Sequence, residues 1–165
     1  GLRAFVPAEH RIATVGVAAG VTFIDDSKAT NAHAALTSLM AFEPIVWVAG
    51  GMAKGQEFDD LVVAARDRLA GVVLLGVDRE VIAGALARHA PDVPVIVVET
   101  VDTGAMVEVV RQAAALARPG DTVLLAPGCA SWDMFRDYSD RGRQFAAAAA
   151  GLPGFLGATS GGSDE

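Results

Sequence analysis

Of the 13 basic residues in this chain only Lys28 and Lys54 are lysines, and the other 11 are arginines. Lys28 lies in Asp25-Asp26-Ser27-Lys28-Ala29-Thr30-Asn31, a run of acids, hydroxyls and one ammonium group. Thr30 or Asn31 is a good N-cap for a helix carrying Leu36, Leu39 and Met40. A lysine facing a helix N-terminus with hydroxyls beside it can hold an anion through charge and free backbone N–H groups together. The alternative is a solvated turn with an internal Asp26–Lys28 ion pair. A second string, Pro127-Gly128-Cys129-Ala130-Ser131-Trp132-Asp133, places Ser131 as the expected N-cap of a last helix running from about Trp132 to Ala150. Trp132, Phe135 and Tyr138 then recur at i+3, a stripe that fits a ligand edge or, for Phe135 above all, core packing. Cys129 has no local base beside it, because His10, His33 and His89 lie in other segments, so it reads as a buried structural thiol. Gly50-Gly51-Met52-Ala53-Lys54-Gly55 resembles a phosphate loop but lacks the Gly-Lys-Ser/Thr that a Walker loop needs, and no strand is followed by G-x-G-x-x-G. A nucleotide-type chain without a nucleotide loop is expected to hold a small anion for another domain, and no catalytic residue or metal ligand is assigned within it.

The elements that would position these residues alternate. Ile12 to Val17 and Val21 to Asp25 are β-prone runs joined by Ala18-Ala19-Gly20, a hairpin signature. Pro44 to Ala49, Val72 to Leu75, Val93 to Val98 and Thr122 to Ala126 are nearly continuous apolar runs, as strands covered on both faces require. Between them, Phe58, Leu61, Val62, Ala65 and Leu69 keep helical spacing, as do Val81, Ile82, Ala85 and Leu86, and then Met106, Val107, Val110 and Ala114. The pattern predicts an α/β fold, a Rossmann-like open and mostly parallel sheet with helices on both faces and an N-terminal antiparallel hairpin. In such sheets ligands bind at the carboxyl ends of the strands, where both lysine loops fall.

Composition bounds the rest. The chain has 165 residues, 52% hydrophobic and 20% charged, enough for one domain with a real core. A net charge of -7 argues against a nucleic-acid or anionic-membrane surface, and every apolar run is cut by charge, Gly or Pro before it could span a bilayer. Its single cysteine favours a reducing compartment. The start, Gly1-Leu2-Arg3-Ala4-Phe5, has neither an initiator Met nor a signal pattern, and is expected to continue a longer polypeptide. The expected division is a linker over 1–10, one domain over 11–153 and a flexible tail over 154–165, with no structure expected from Gly157 onward.

Taken together, the Asp25–Asn31 string, the Gly50–Gly55 loop and Pro127–Ser131 followed by Phe135, Arg141-Gly142 and Phe145 resemble the third domain of the Mur ligases. The similarity covers about Leu2 to Leu152, includes the His10-Arg11 pair, and its D-S-K-A-T-N string points to the D-glutamate-adding branch of that family. The resemblance implies a monomeric cytoplasmic enzyme of peptidoglycan synthesis that joins D-glutamate to UDP-MurNAc-L-alanine. ATP and Mg2+ would be held mainly by a central domain absent from this chain. It further implies that Lys28 pairs with the α-carboxylate of D-glutamate, and that Ser131, with the backbone around Trp132 and Tyr138, holds the side-chain carboxylate. Asp26 and Asn31 would meet ATP on domain closure, and Lys54 receives no role. The family's Thr just upstream of His-Arg is missing, since this stretch reads Arg3-Ala4-Phe5. Two other functions fit the residues: a third domain of a folylpolyglutamate synthase-like ligase, and a stand-alone module binding a small anion.

Overall fold

A computed structural model describes residues 12–102 and 104–158. The expected linker, the His10-Arg11 pair and residues 159–165 lie outside the described residues. The sheet has seven strands: β1 (Ala13–Ala18), β2 (Val21–Asp25), β3 (Ile45–Gly50), β4 (Leu69–Leu75), β5 (Val95–Val97), β6 (Thr122–Leu125) and β7 (Leu156–Gly157). Five helices join them: α1 (Ala32–Leu39), α2 (Asp59–Ala65), α3 (Arg79–His89), α4 (Ala105–Leu116) and α5 (Tyr138–Ala150). Spatial order is β5-β4-β3-β6-β2-β1-β7. The five strands from β5 to β2 run parallel, and β1 and β7 add antiparallel edges.

The predicted hairpin forms. Ala19 and Gly20 have φ of 52° and 78°, two consecutive left-handed residues whose twist matches that of the flanking strands. The apolar runs become strands because both of their faces are covered. All six residues of β3 are buried, with Ile45, Trp47 and Ala49 toward α1, α2 and α3, and Val46 and Val48 toward α4 and α5. The Trp47 indole N–H donates to Ala126 O at 2.7 Å, which ties β3 to the end of β6.

Four expectations need correction. Val93 to Val98 supplies only a three-residue edge strand, β5, with Val95 partly exposed, so it is not covered on both sides. Leu69 opens β4 instead of closing α2, because a short 3-10 turn over Arg66–Arg68 ends that helix first. The last helix starts at Tyr138, capped by Asp137, whose side chain accepts from the Asp140 N–H at 2.8 Å, and not near Trp132. Finally, Leu156–Gly157 pairs with β1, and the Ala158 N–H donates to Val15 O at 3.0 Å, so the stretch expected to be frayed starts with an ordered edge.

β6 sits between β3 and β2, which makes the β3/β6 boundary the point where chain connections diverge: α2 leaves β3 on one face and α5 follows β6 on the other. Open sheets bind ligands at such boundaries.

Candidate anion site at the carboxyl edge

At this edge the loops are bonded to one another by backbone. Gly128 N–H donates to Ala29 O at 2.8 Å, joining the β6 loop to the β2 loop. Met52 and Ala130 exchange N–H···O bonds of 2.9 and 3.0 Å, joining the β3 loop to the β6 loop. Asp78 N–H donates to Gly51 O at 2.9 Å, adding the β4 loop. The β6 loop is therefore central, with one lysine loop on each side of it.

The 131–137 segment that follows is a turn, not a helix. Ser131 is buried, and its carbonyl accepts from the N–H groups of Met134 and Phe135 at 3.2 and 2.9 Å. Ser131 therefore does not cap α5. Phe135 is buried, as core packing predicts, whereas Trp132 is 68% exposed. The ammonium of Lys54 lies 5.1 Å from the centroid of the Trp132 ring, and that of Lys28 lies 5.9 Å from the centroid of the Tyr138 ring. The two lysines thus bracket the turn that carries Ser131, one at each end. Sequence reasoning left Lys54 without a role because nothing local shows that β3 and β6 are neighbours.

The other polar groups of the β2 loop are engaged as well. In the β2 loop, the Ser27 N–H donates to Asp25 Oδ1 at 2.9 Å, and the Ser38 hydroxyl donates to Asp26 Oδ2. Asn31, not Thr30, caps α1, accepting from the Ala34 N–H at 2.8 Å, and Gln56 Oε1 accepts from the Ala32 N–H at 2.7 Å. With those two first-turn donors engaged, an anion here would be held by the ammonium of Lys28 more than by the helix terminus. Asp26, Lys28, Thr37 and Ser38 line a cleft of about 240 Å³ beside the loop. Asn31 is exposed, with its side-chain oxygen committed to the cap.

The glycine loop after β3 has its own explanation. The N–H groups of Gly50, Met52 and Ala53 donate to Pro127 O, Ala130 O and Asp78 Oδ2 at 3.0, 2.9 and 2.8 Å. Three donors that a phosphate cradle would offer are already used, one of them by a carboxylate. Gly51 has φ of +135°, and a Cβ there would lie 2.4 Å from Ala130 O, so close backbone approach demands the glycine.

Arg141 enters the sequence only as part of the Arg141-Gly142 string, and its contacts are what give it a role. Only 1% exposed, it donates from Nε to Ser27 Oγ at 2.8 Å, from Nη2 to Ser27 O at 2.6 Å and from Nη1 to Cys129 O at 2.9 Å. The Ser27 hydroxyl in turn donates to Tyr138 O at 2.6 Å. Burial lowers the guanidinium pKa to about 10. The available signal was its spacing: Arg141, Phe145 and Ala149 form an i, i+4, i+8 row on the buried face of α5. Cys129 is fully buried, and desolvation raises its thiol to about 12, so it carries no thiolate near neutral pH. Among the described residues no three His, Cys, Asp or Glu side chains gather to hold a metal ion, and no helix is long and apolar enough to cross a membrane.

Comparison with known proteins agrees with this architecture. The family described as "Mur ligase, glutamate ligase domain" matches residues 10–129. UDP-N-acetylmuramoylalanine--D-glutamate ligase of Streptomyces coelicolor is 61% identical over 148 residues, covering 90% of this chain and 31% of the relative. The protein of the same name from Thermobifida fusca is 56% identical over 154 residues, covering 93% and 33%. The chain therefore spans about a third of the length of these relatives. Among solved structures, a domain of a putative UDP-N-acetylmuramate:L-alanyl-gamma-D-glutamyl-medo-diaminopimelate ligase from Haemophilus ducreyi matches with a TM-score of 0.54 at 19% identity, covering 84% of this chain and all of that one. UDP-N-acetylmuramate-alanine ligase from Thermotoga maritima matches with a TM-score of 0.53 at 15% identity, covering 84% of this chain and 29% of that one. At those identities the structures speak for the fold alone. The family match spans well over half the chain and runs through the β2 and β3 loops to Cys129, and on that ground the chain belongs to the Mur ligase family, as its C-terminal, glutamate ligase domain.

Proposed function

We propose that this chain is the amino-acid-holding domain of an ATP-dependent ligase that joins D-glutamate to UDP-MurNAc-L-alanine. The observation that carries the reading is the pair of ammonium groups bracketing the Ser131 turn. D-glutamate carries two carboxylates, and two separated cationic anchors fix its amine in one place. Lys28 holds one carboxylate, the α-carboxylate, and Ser131 with the backbone around Trp132 and Tyr138 holds the other. Lys54, at the β3/β6 boundary, joins this second seat, a role added on geometric grounds. The chemistry is amide formation: the amine lone pair attacks an acyl phosphate carbon, the C–N bond forms, phosphate leaves with the C–O electrons, and the nitrogen loses a proton. This domain contributes orientation to that step.

The described residues do not fit a triphosphate or its metal, since the β3 loop donors are engaged and no acidic cluster is present. ATP and Mg2+ are accordingly assigned to the remainder of the polypeptide. Asp26, lining the cleft beside Lys28, and Asn31 are the residues of this chain proposed to meet the nucleotide. The site works in the cytoplasm, where its substrates are made, within a monomeric polypeptide.

Titrating the chain with D- and L-glutamate, followed by amide shifts in loops 25–31, 50–56 and 127–138, tests the reading. Weak binding that favours the D isomer and perturbs all three loops is expected, because part of the site lies elsewhere. Shifts confined to other surfaces would overturn it. Tight binding of many unrelated anions would favour a free-standing anion module instead.

A further inference from the structure

Every hydrogen bond of the Arg141 guanidinium goes to a neutral oxygen on a neighbouring loop: two to Ser27, beside Lys28, and one to Cys129, two residues before Ser131. Ser27 extends the connection by donating to Tyr138 O, at the far end of the Ser131 turn. A planar fork with donors in fixed directions can set the distance between two backbone segments, which a single-point ammonium cannot. Desolvating a guanidinium is costly, and surface charge alone would not place one here. We propose that Arg141 is a positioning residue that locks the Lys28 loop and the Ser131 turn at one fixed separation, and so sets affinity for the amino-acid substrate. The proposal rests on the functional reading above for its substrate, but not for its mechanical part.

The contacts predict transmission across loops. Ser27→Ala removes a hydroxyl that both accepts from Arg141 and donates to Tyr138 O, yet leaves the charge and the other two bonds. In this chain it should speed amide hydrogen exchange about tenfold at residues 128–131 and 138, not only at 26–29, with residues 76–79 unchanged. Arg141→Lys should do the same more strongly. If Arg141→Lys fails to fold, Ser27→Ala still reports. In the full-length ligase carrying this domain, Ser27→Ala should raise KM for D-glutamate at least fivefold, with KM for the UDP-sugar and for ATP within twofold of the parent. Faster exchange confined to residues 26–29 would overturn the proposal. So would coupled exchange with D-glutamate KM unmoved, provided that Lys28→Ala does raise it. Coupled exchange with both variants sparing D-glutamate would uphold the lock and overturn D-glutamate as its beneficiary.

Discussion

The two lysine loops flank the same β6 loop and are built by opposite means. Around Lys28 the chain is held at nearly every residue: Asp25 accepts from Ser27, Arg141 clamps Ser27, Ala29 O accepts from Gly128 and Asn31 caps α1. Lys28 itself is half-buried against Tyr138. Around Lys54 the loop is fixed at its two roots, through Gly50, Met52 and Ala53 before the tip and Gln56 after it. The tip, Lys54-Gly55, takes left-handed φ values of 54° and 80°, is exposed, and rests on an exposed indole. One cation is delivered already oriented, and the other must be ordered when a ligand arrives. Ordering a lysine side chain costs up to about 2 kcal/mol, so the first arrangement favours selectivity and the second tolerates variation.

Lysine substitutions in the full-length ligase test this contrast most strongly. Lys28→Ala should raise KM for D-glutamate about 10- to 150-fold, the equivalent of losing one charge-assisted contact, with KM for the UDP-sugar nearly unchanged. Lys54→Ala should also raise it, by a smaller factor. The arginine variants separate the two designs. Lys28→Arg should fail to rescue, because a planar guanidinium does not fit a half-buried seat shaped for a point charge, whereas Lys54→Arg should restore most activity from its free tip. Equal rescue at both positions would remove the distinction. Lys54→Ala exceeding Lys28→Ala would move the principal anchor to the β3/β6 boundary.

The second test uses stability, and compares the root of the Lys54 loop with its tip. Gly51→Ala drives a Cβ to 2.4 Å from Ala130 O at φ +135°, and should cost about 3 kcal/mol or more. Gly55→Ala has φ of +80° with no atom within 4 Å, so only the backbone penalty of about 1–2 kcal/mol remains. Urea midpoints measure both. Similar losses would mean that the root is less tightly packed than the bonded loops indicate.

Much of this was legible in the sequence for local reasons. Continuous apolar runs marked β3, β4 and β6 because parallel strands bury both faces, and Asn31 could be read as a cap because its side chain acts on the adjacent turn. What failed was non-local or ambiguous. Ser131 and Asp137 are both acceptable N-caps, and the i+3 aromatics made the earlier one attractive, but Asp137 caps the helix. Strand order has no local signature, so the insertion of β6 beside β3, and with it the place of Lys54, could not be read. Arg141 was legible only as part of the Arg141-Gly142 string of the family resemblance, with no role attached, because its Ser27 partner lies 114 residues away in sequence. β7 is two residues long, too short for any alternation to show.

The smallest expected effects concern the rings beneath the two ammonium groups, and they decide whether the rings are seats or contacts. Cation–π pairing is worth about 0.5–1 kcal/mol at exposed sites, roughly a two- to fivefold change in affinity. Trp132 is exposed, so Trp132→Ala should leave the urea midpoint almost unchanged and raise KM for D-glutamate within that range, by releasing Lys54 to wander. Tyr138 is half-buried and begins α5, where Ser27 bonds its carbonyl, so Tyr138→Ala should cost more stability than Trp132→Ala. Its backbone bond survives the substitution, which limits the kinetic loss to the lost ring. Kinetic effects of both variants should therefore stay below those of the lysines they support. If Trp132→Ala matches Lys54→Ala in magnitude, the indole touches the substrate itself. If it matches while the double variant is no worse than either single, ring and ammonium act as one unit, and the free tip is better ordered than its exposure indicates.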